Sequence, residues 1–92
     1  MAVVVTQEFE ATREEYDAVS EKLGDTPEPG LIVHTGMDLG NGKWRVVDVW
    51  ESAQDFQNFV QNRLIPTIAE VNPDAPQAEE PEILEVHELV KA

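Results

Sequence analysis

The sequence predicts an α+β fold with the element order β-α-β-β-α-β. Three observations lead to it. Four segments are rich in β-branched and aromatic residues, two segments repeat apolar residues at helical spacing, and a Gly-Asn-Gly tripeptide separates the two middle strands. A length of 92 residues suits one small core. We therefore expect residues 1–92 to form a single domain.

The first half of the chain predicts one strand and one helix. Residues 2–10 begin with three consecutive valines and contain no breaker, so they favour a strand that is apolar on both faces at its start. Thr12 followed by Glu15 is a capping box, and Gly24 is a natural helix end. The helix between them has an apolar stripe of Tyr16, Val19 and Leu23. Residues 25–30 predict a loop.

The middle of the chain predicts a β-hairpin of residues 31–39 and 43–51. Asn41-Gly42 favours a two-residue turn that pairs Gly40 with Lys43. This register places Asp38 opposite Arg45 and Thr35 opposite Asp48. One face then carries Leu31, Val33, Thr35, Met37, Leu39, Trp44, Val46, Asp48 and Trp50, and the other carries Ile32, His34, Gly36, Arg45, Val47 and Val49. A three-residue loop would shift the register by one residue.

The last third predicts a second helix over residues 53–70 and a final strand over residues 83–90. Ser52 and Asp55 are the capping residues of this helix. Its apolar stripe is Phe56, Phe59, Val60, Leu64 and Ile68. Pro66 predicts a kink or break, because proline lacks the backbone N–H. Residues 72–81 contain three prolines and predict a loop.

This order of elements predicts a ferredoxin-like fold, in which four antiparallel strands in the order 4-1-3-2 carry both helices on one face. The second face would then meet water, yet both faces of the predicted sheet hold several large apolar side chains. The simplest cover for the second face is the same surface of a second copy. We therefore expect a homodimer.

Composition excludes several classes of function. Six Lys and Arg against 19 Asp and Glu give a formal net charge of −13, which argues against binding to nucleic acid or to anionic lipid surfaces. The chain has no cysteine and therefore no thiol nucleophile or thiolate metal site. No apolar run reaches the ~20 residues of a membrane helix, and no signal peptide is evident. A cytoplasmic location is expected.

The block GLIVHTGMDLGNGKWRVVDVWESAQDFQNF resembles small actinobacterial members of the antibiotic-biosynthesis-monooxygenase-like domains, within the dimeric α/β-barrel superfamily. The resemblance extends over nearly the whole chain and implies that two sheets combine into an α/β barrel. Some members are cofactor-free monooxygenases of polycyclic phenols, some degrade haem, and others isomerise or cyclise small molecules. The haem-degrading members use a histidine on the second helix, whereas residues 53–70 contain none. No cofactor is therefore expected.

Two residues are candidate catalytic groups. His34 has an ordinary pKa near neutrality and could be the general base that forms the phenolate or enolate needed for reaction with oxygen. Its structural alternative is a hydrogen-bonded histidine at a sheet edge or dimer interface. Asp48 lies among apolar and aromatic neighbours and could be an acid or base in a pocket. Its structural alternative is a carboxylate bonded to Thr35, Asn62 or Arg63.

Further residues could bind a planar apolar or aromatic ligand. These candidates are Trp44, Trp50, Phe56, Phe59, Tyr16, Met37 and Asn62, although aromatic side chains at such spacing also form ordinary cores. No metal site is expected, since His34 and His87 with scattered carboxylates do not have ligand spacing. Two functions stay open: cofactor-free oxygenation of an aromatic small molecule, and a non-catalytic dimeric binding or interaction module whose interior is filled by its own side chains.

Overall fold

The computed structural model describes residues 1–25 and 27–92 and has the predicted element order. Its elements are β1 (Val3–Glu10), α1 (Arg13–Leu23), β2 (Leu31–Gly40), β3 (Lys43–Trp50), α2 (Ala53–Phe59), a π-helical turn (Val60–Leu64), α3 (Ile65–Val71) and β4 (Glu82–Glu85). The strands form one antiparallel sheet in the order β2-β3-β1-β4, which confirms the α+β ferredoxin-like fold. None of the helices in the described residues is long and apolar enough to cross a membrane.

The predicted caps fix where the helices begin. The Thr12 hydroxyl accepts a hydrogen bond from the backbone N–H of Glu15 at 3.0 Å, and the Glu15 carboxylate accepts one from the N–H of Thr12 at 2.9 Å. Ser52 likewise accepts from the N–H of Asp55 at 3.1 Å. These bonds satisfy backbone donors that the first turn of each helix leaves without an intrahelical partner.

The interruption expected near Pro66 is the π-helical turn that separates α2 from α3. Here the N–H of Ile65 donates to the carbonyl of Val60, five residues earlier. Pro66 has no N–H, and its ring would crowd the carbonyl of a regular preceding α-turn. The wider turn lets the helix continue past the proline without a break.

The last strand is shorter than the sequence predicts. β4 ends at Glu85, so residues 86–90 do not form the predicted strand. After β4, the N–H of Val86 donates to the carbonyl of Ala2 at 2.9 Å. β4 runs antiparallel to β1, and its last residue, Glu85, pairs with Val3, the first residue of β1.

The hairpin turn is as predicted, but the register of β2 is not. Asn41 and Gly42 have φ of 56° and 77°, and Gly40 pairs with Lys43. Gly40 itself has φ of 88°, and its N–H donates to the Asp38 carboxylate at 2.8 Å. This local turn inserts Leu39 as a β-bulge, so residues 33–38 pair one position away from the predicted register. A second register shift lies between Leu31 and Val33.

The bulge overturns the predicted neighbours. Asp38 pairs with Trp44 rather than Arg45, and Thr35 pairs with Val47 rather than Asp48. Asp38 instead binds Arg13 at 2.8 Å, and Arg45 binds Glu8 at 2.7 Å. A one-residue shift moves the affected side chains of β2 to the opposite face of the sheet. His34 therefore joins the face of Asp48, while Val33, Thr35 and Met37 lie on the other face.

The hydrophobic core lies on the face that the helices cover. Val3, Val5, Trp50 and Phe56 form its buried centre, with Leu31, Ala53, Phe59, Val60 and Ile83 packed against it. The opposite face, which we call the outer face, carries Val4, Val33, Val47, Val49, Met37 and Leu84. Val33 and Leu84 there are 47% and 58% exposed. Apolar groups on both faces thus agree with the sequence-based expectation.

Candidate functional site

A histidine and a carboxylate meet on the helix-covered face of the sheet. His34 of β2 and Asp48 of β3 are direct cross-strand partners, and Nδ1 of His34 lies 2.7 Å from Oδ1 of Asp48. Asp48 lies in β3, which is hydrogen-bonded to β1 on one side and to β2 on the other, and His34 lies in the edge strand β2, which is hydrogen-bonded to β3. The two side chains therefore form a preorganised pair.

The Asp48 carboxylate is held at both oxygens. Asp48 is only 5% exposed, and its Oδ2 accepts a hydrogen bond from Nε1 of Trp50 at 3.3 Å, in addition to the His34 contact at Oδ1. A buried carboxylate needs such partners because burial penalises its charge. Trp50 is itself 1% exposed and fixes the carboxylate from the core side.

The pair changes the titration of the imidazole. The hydrogen bond that His34 donates to the Asp48 carboxylate raises the pKa of His34 above its ordinary value of 6.5, partial burial opposes this, and the negative charge of Asp48 adds to the rise. With Nδ1 directed at Asp48, Nε2 is the ring nitrogen left for a ligand. A half-exposed imidazole oriented by a buried carboxylate can act as a general base.

The pair borders a cavity of about 530 Å³ between the sheet and the helices. A volume of this order suits a small organic ligand. Its apolar lining comes mainly from Phe9, Tyr16, Val19, Leu23, Leu31, Ile32, Val46, Trp50, Phe56, Phe59, Leu64, Ile68 and Val71. His34 and Asp48 line it too, together with other polar and acidic side chains.

Six of the sequence-predicted site residues line this cavity together: His34, Asp48, Tyr16, Trp50, Phe56 and Phe59. Three others do not. Met37 lies on the outer face because of the bulge, and Asn62 is exposed on the π-helical turn. Trp44 is buried behind Tyr16, against which it stacks with ring centroids 4.3 Å apart.

The cavity also uses residues that the sequence analysis did not select. Glu15 of α1 accepts a hydrogen bond from the side-chain amide of Asn72 at 2.6 Å, and both residues line the cavity. This bond ties α1 to the residue that follows α3. The Thr12 backbone N–H and then Asn72 lower the pKa of Glu15, so its carboxylate stays charged. Only the capping role of Glu15 was visible in the sequence.

The cavity lining is strongly acidic. Its charged groups are the carboxylates of Glu10, Glu15, Asp25, Glu28 and Asp48. Across residues 1–25 and 27–92, no lysine or arginine lines it. The local potential therefore favours neutral or cationic ligands over anions.

His87 does not contribute to this site. It lies beyond β4, exposed, and β4 and β2 are opposite edges of the sheet. In the part of the chain that the structure describes, no three His, Asp or Glu side chains are arranged to hold a metal ion.

Comparison with solved structures identifies the fold. A candidate antibiotic biosynthesis monooxygenase from Chloroflexus aurantiacus superposes with a TM-score of 0.70 at 17% identity, over 99% of this chain and 98% of that one. SnoaB, a cofactor-independent oxygenase from Streptomyces nogalater, gives 0.69 at 15% identity, with the same coverage. A candidate antibiotic biosynthesis monooxygenase from Deinococcus radiodurans gives 0.65 at 13% identity, over 98% and 97%.

Comparisons of the sequence do not assign this chain to a family. No family model matches the chain, and no curated protein matches it. The structural likeness covers almost the full length of each chain, while the identities are low. The chain therefore has the fold of the antibiotic biosynthesis monooxygenase-like proteins.

Proposed function

We propose that this protein is a cofactor-independent oxygenase of a neutral aromatic small molecule, with His34 as the general base and Asp48 as the residue that orients it. The observation that carries the proposal is the His34–Asp48 pair, 2.7 Å apart, at the wall of an apolar cavity. The shared fold with SnoaB, an oxygenase that needs no cofactor, supports the same reaction class.

The chemistry requires a base and an apolar site. His34 Nε2 removes a proton from the C–H or O–H of an anthrone-type substrate, and the bonding electron pair becomes the electron-rich enolate or phenolate. This anion transfers electrons to O₂ and combines with it as a peroxide anion. His34 returns its proton to this anion, and the resulting hydroperoxide loses water. Overall, anthrone and O₂ give anthraquinone and water. A proton transfer of this kind contributes a factor of about 10² to 10⁴ in rate.

Oxygen consumption with anthrone tests this proposal directly. The rate should be measured with the wild-type protein, His34→Asn and His87→Asn, after subtraction of the rate without protein. His34→Asn should lower the protein-dependent rate by about 100-fold or more. His87→Asn removes an exposed histidine far from the cavity and should leave the rate unchanged. Equal rates for wild type and His34→Asn would remove His34 from the mechanism.

The second candidate function is ligand binding without turnover. The same cavity supports it, because an apolar space of about 530 Å³ can hold a ligand whether or not a reaction follows. Saturable binding of anthrone with no rate above the protein-free reaction would favour this alternative. His34 would then be a ligand-contacting group only.

We also propose that the protein acts as a homodimer through the outer face. Met37, Val33 and Leu84 of that face are 37%, 47% and 58% exposed in one chain, and α1, α2 and α3 pack on the other side of the sheet. A second copy offers the same apolar surface by two-fold symmetry. Burial of these groups favours association by about 25 cal/mol per Å² before its entropic cost.

A further inference from the structure

Tyr16 lines the cavity, and its hydroxyl lies directly over a glycine of β2. A Cβ placed on Gly36 of β2 would overlap the hydroxyl oxygen of Tyr16 and would lie 2.9 Å from its Cζ. The absence of a side chain at position 36 therefore makes room for the tip of Tyr16. Glycine within a strand often marks such a close approach.

Stacking holds the Tyr16 ring in this position. The ring lies 4.3 Å from that of Trp44 with an interplanar angle of 12°, and 6.1 Å from that of Phe9 at 4°. Trp44 is fixed in turn, because its Nε1 donates to the carbonyl of Ala11 at 2.8 Å. The hydroxyl is thus aimed from α1 onto the sheet beside the site.

The Tyr16 hydroxyl is a free donor next to the base. Within residues 1–25 and 27–92, no protein group forms a hydrogen bond with this hydroxyl. No polar side-chain atom there is both fully buried and unpaired, so the hydroxyl is accessible to a ligand in the cavity. Burial raises the pKa of Tyr16, and the charges of Asp48 and Asp17 raise it further, so the proton stays on the oxygen. Since Gly36 and His34 share one face two residues apart, the strand separates their positions by about 6.6 Å.

We infer that Tyr16 is the hydrogen-bond donor to the carbonyl oxygen of the ligand and that Gly36 creates the space for it. This inference rests on the proposed function, because it places the ligand in the same cavity between Tyr16 and His34.

His34 and Tyr16 have different roles in the same proton transfer. His34 Nε2 takes the proton from the carbon, the C–H electron pair forms the new C=C bond, and the carbonyl π pair moves to oxygen. Tyr16 donates its hydrogen bond to that oxygen as the negative charge develops, without giving up its proton. Such a donor is needed in this acidic cavity because the lining carboxylates repel the negative charge that develops on the ligand oxygen.

The test uses 9-fluorenone, a neutral aromatic ketone that has no acidic C–H and so cannot turn over. Its affinity is measured by fluorescence titration, and its carbonyl stretching frequency in the complex by difference infrared spectroscopy. Wild type should bind it and lower the carbonyl frequency relative to apolar solvent. Tyr16→Phe keeps the ring stack but should abolish this shift and weaken binding about three- to tenfold. His34→Asn should keep the shift.

A second variant controls for the possibility that Tyr16→Phe changes the fold instead of removing only the hydrogen bond. Gly36→Ala leaves the hydroxyl in the chain but displaces it, and it should also abolish the shift. Near-ultraviolet circular dichroism checks that each variant keeps its packed aromatic cluster. Binding with the same carbonyl frequency in wild type and Tyr16→Phe would overturn this inference and leave the cavity as a ligand site. No binding of fluorenone to the wild type would overturn the inference together with the proposed function.

Discussion

His34 and Asp48 face each other across β2 and β3 because one extra residue, Leu39, bulges out of β2. Without the bulge, the Gly40–Lys43 pairing would place Thr35 opposite Asp48 and turn His34 to the outer face. The pair therefore depends on a local turn at Leu39, five residues after His34, where the Asp38 carboxylate accepts a hydrogen bond from the N–H of Gly40. A backbone irregularity outside the cavity thus determines which groups line it.

The first prediction concerns the titration of His34. Asp48→Asn removes the charged acceptor at 2.7 Å, so the pKa of His34 should fall from its raised wild-type value. Proton NMR of the imidazole resonances across pH 5 to 9 measures this (a range of about two units on each side of neutrality). An unchanged His34 titration would show that Asp48 does not orient the base.

The second prediction is a pH dependence of stability. Because the folded-state pKa of His34 is raised above 6.5, the folded protein binds this proton more tightly than the unfolded chain does. The resulting stabilisation is fully present below pH 6.5 and is lost as the pH rises through the folded-state pKa. Urea unfolding of wild type and His34→Asn should therefore show a free-energy difference that shrinks with rising pH over this window. A difference that grows with pH would contradict the assignment.

The third prediction concerns ligand charge. The five carboxylates that line the cavity should disfavour an anion, so 2-naphthoate should bind at least about tenfold more weakly than its neutral methyl ester at low salt. Fluorescence titration at increasing salt provides the check, because screening should narrow the gap. Tighter binding of the carboxylate would exclude the neutral substrate class.

The fourth prediction tests the outer face. Val49 lies in the middle of this face, between Val4 and Val33 on the neighbouring strands. Val49→Lys places a charge there and should convert a wild-type dimer to a monomer in sedimentation velocity at micromolar concentration. Gln77→Lys adds the same charge at an exposed loop position and should remain dimeric. A monomeric wild type would refute the proposed dimer.

The fifth prediction concerns the helix cap that also supports the cavity. Thr12→Ala removes the hydroxyl that accepts the N–H of Glu15 and should lower the free energy of unfolding by about 1 kcal/mol. Ser20→Ala, an exposed substitution on the same helix, serves as the control and should have little effect. Chemical denaturation of the three proteins makes the comparison; equal losses for both variants would argue against a specific capping effect.

Local signals in the sequence were sufficient for most of the elements. The capping box at Thr12, the Asn41-Gly42 turn and the interruption before Pro66 each depend on residues within a few positions of one another. Such interactions are the same in any tertiary context, so pattern reasoning recovers them. The end of β4 was not recovered, because it depends on where the partner strand β1 begins.

The candidate site divides in the same way. The chemistry of their side chains made His34 and Asp48 two separate catalytic candidates. The spacing of aromatic residues made Tyr16, Trp50 and Phe56 candidates for ligand binding. The sequence did not place His34 and Asp48 together, and it did not separate Met37 from the cavity residues. Gly36 had a signal that went unused, since a glycine inside a strand indicates a close neighbour.

By itself, the sequence determined the order of the elements, the sheet topology and the apolar character of both sheet faces, because these follow from periodicity, caps and turns along the chain. Only the tertiary structure decided which side chains share the cavity. The physical reason is that strand side chains alternate between faces, so the bulge at Leu39 moved His34 onto the face of Asp48. The position of α1 over that face then brought Tyr16 above Gly36.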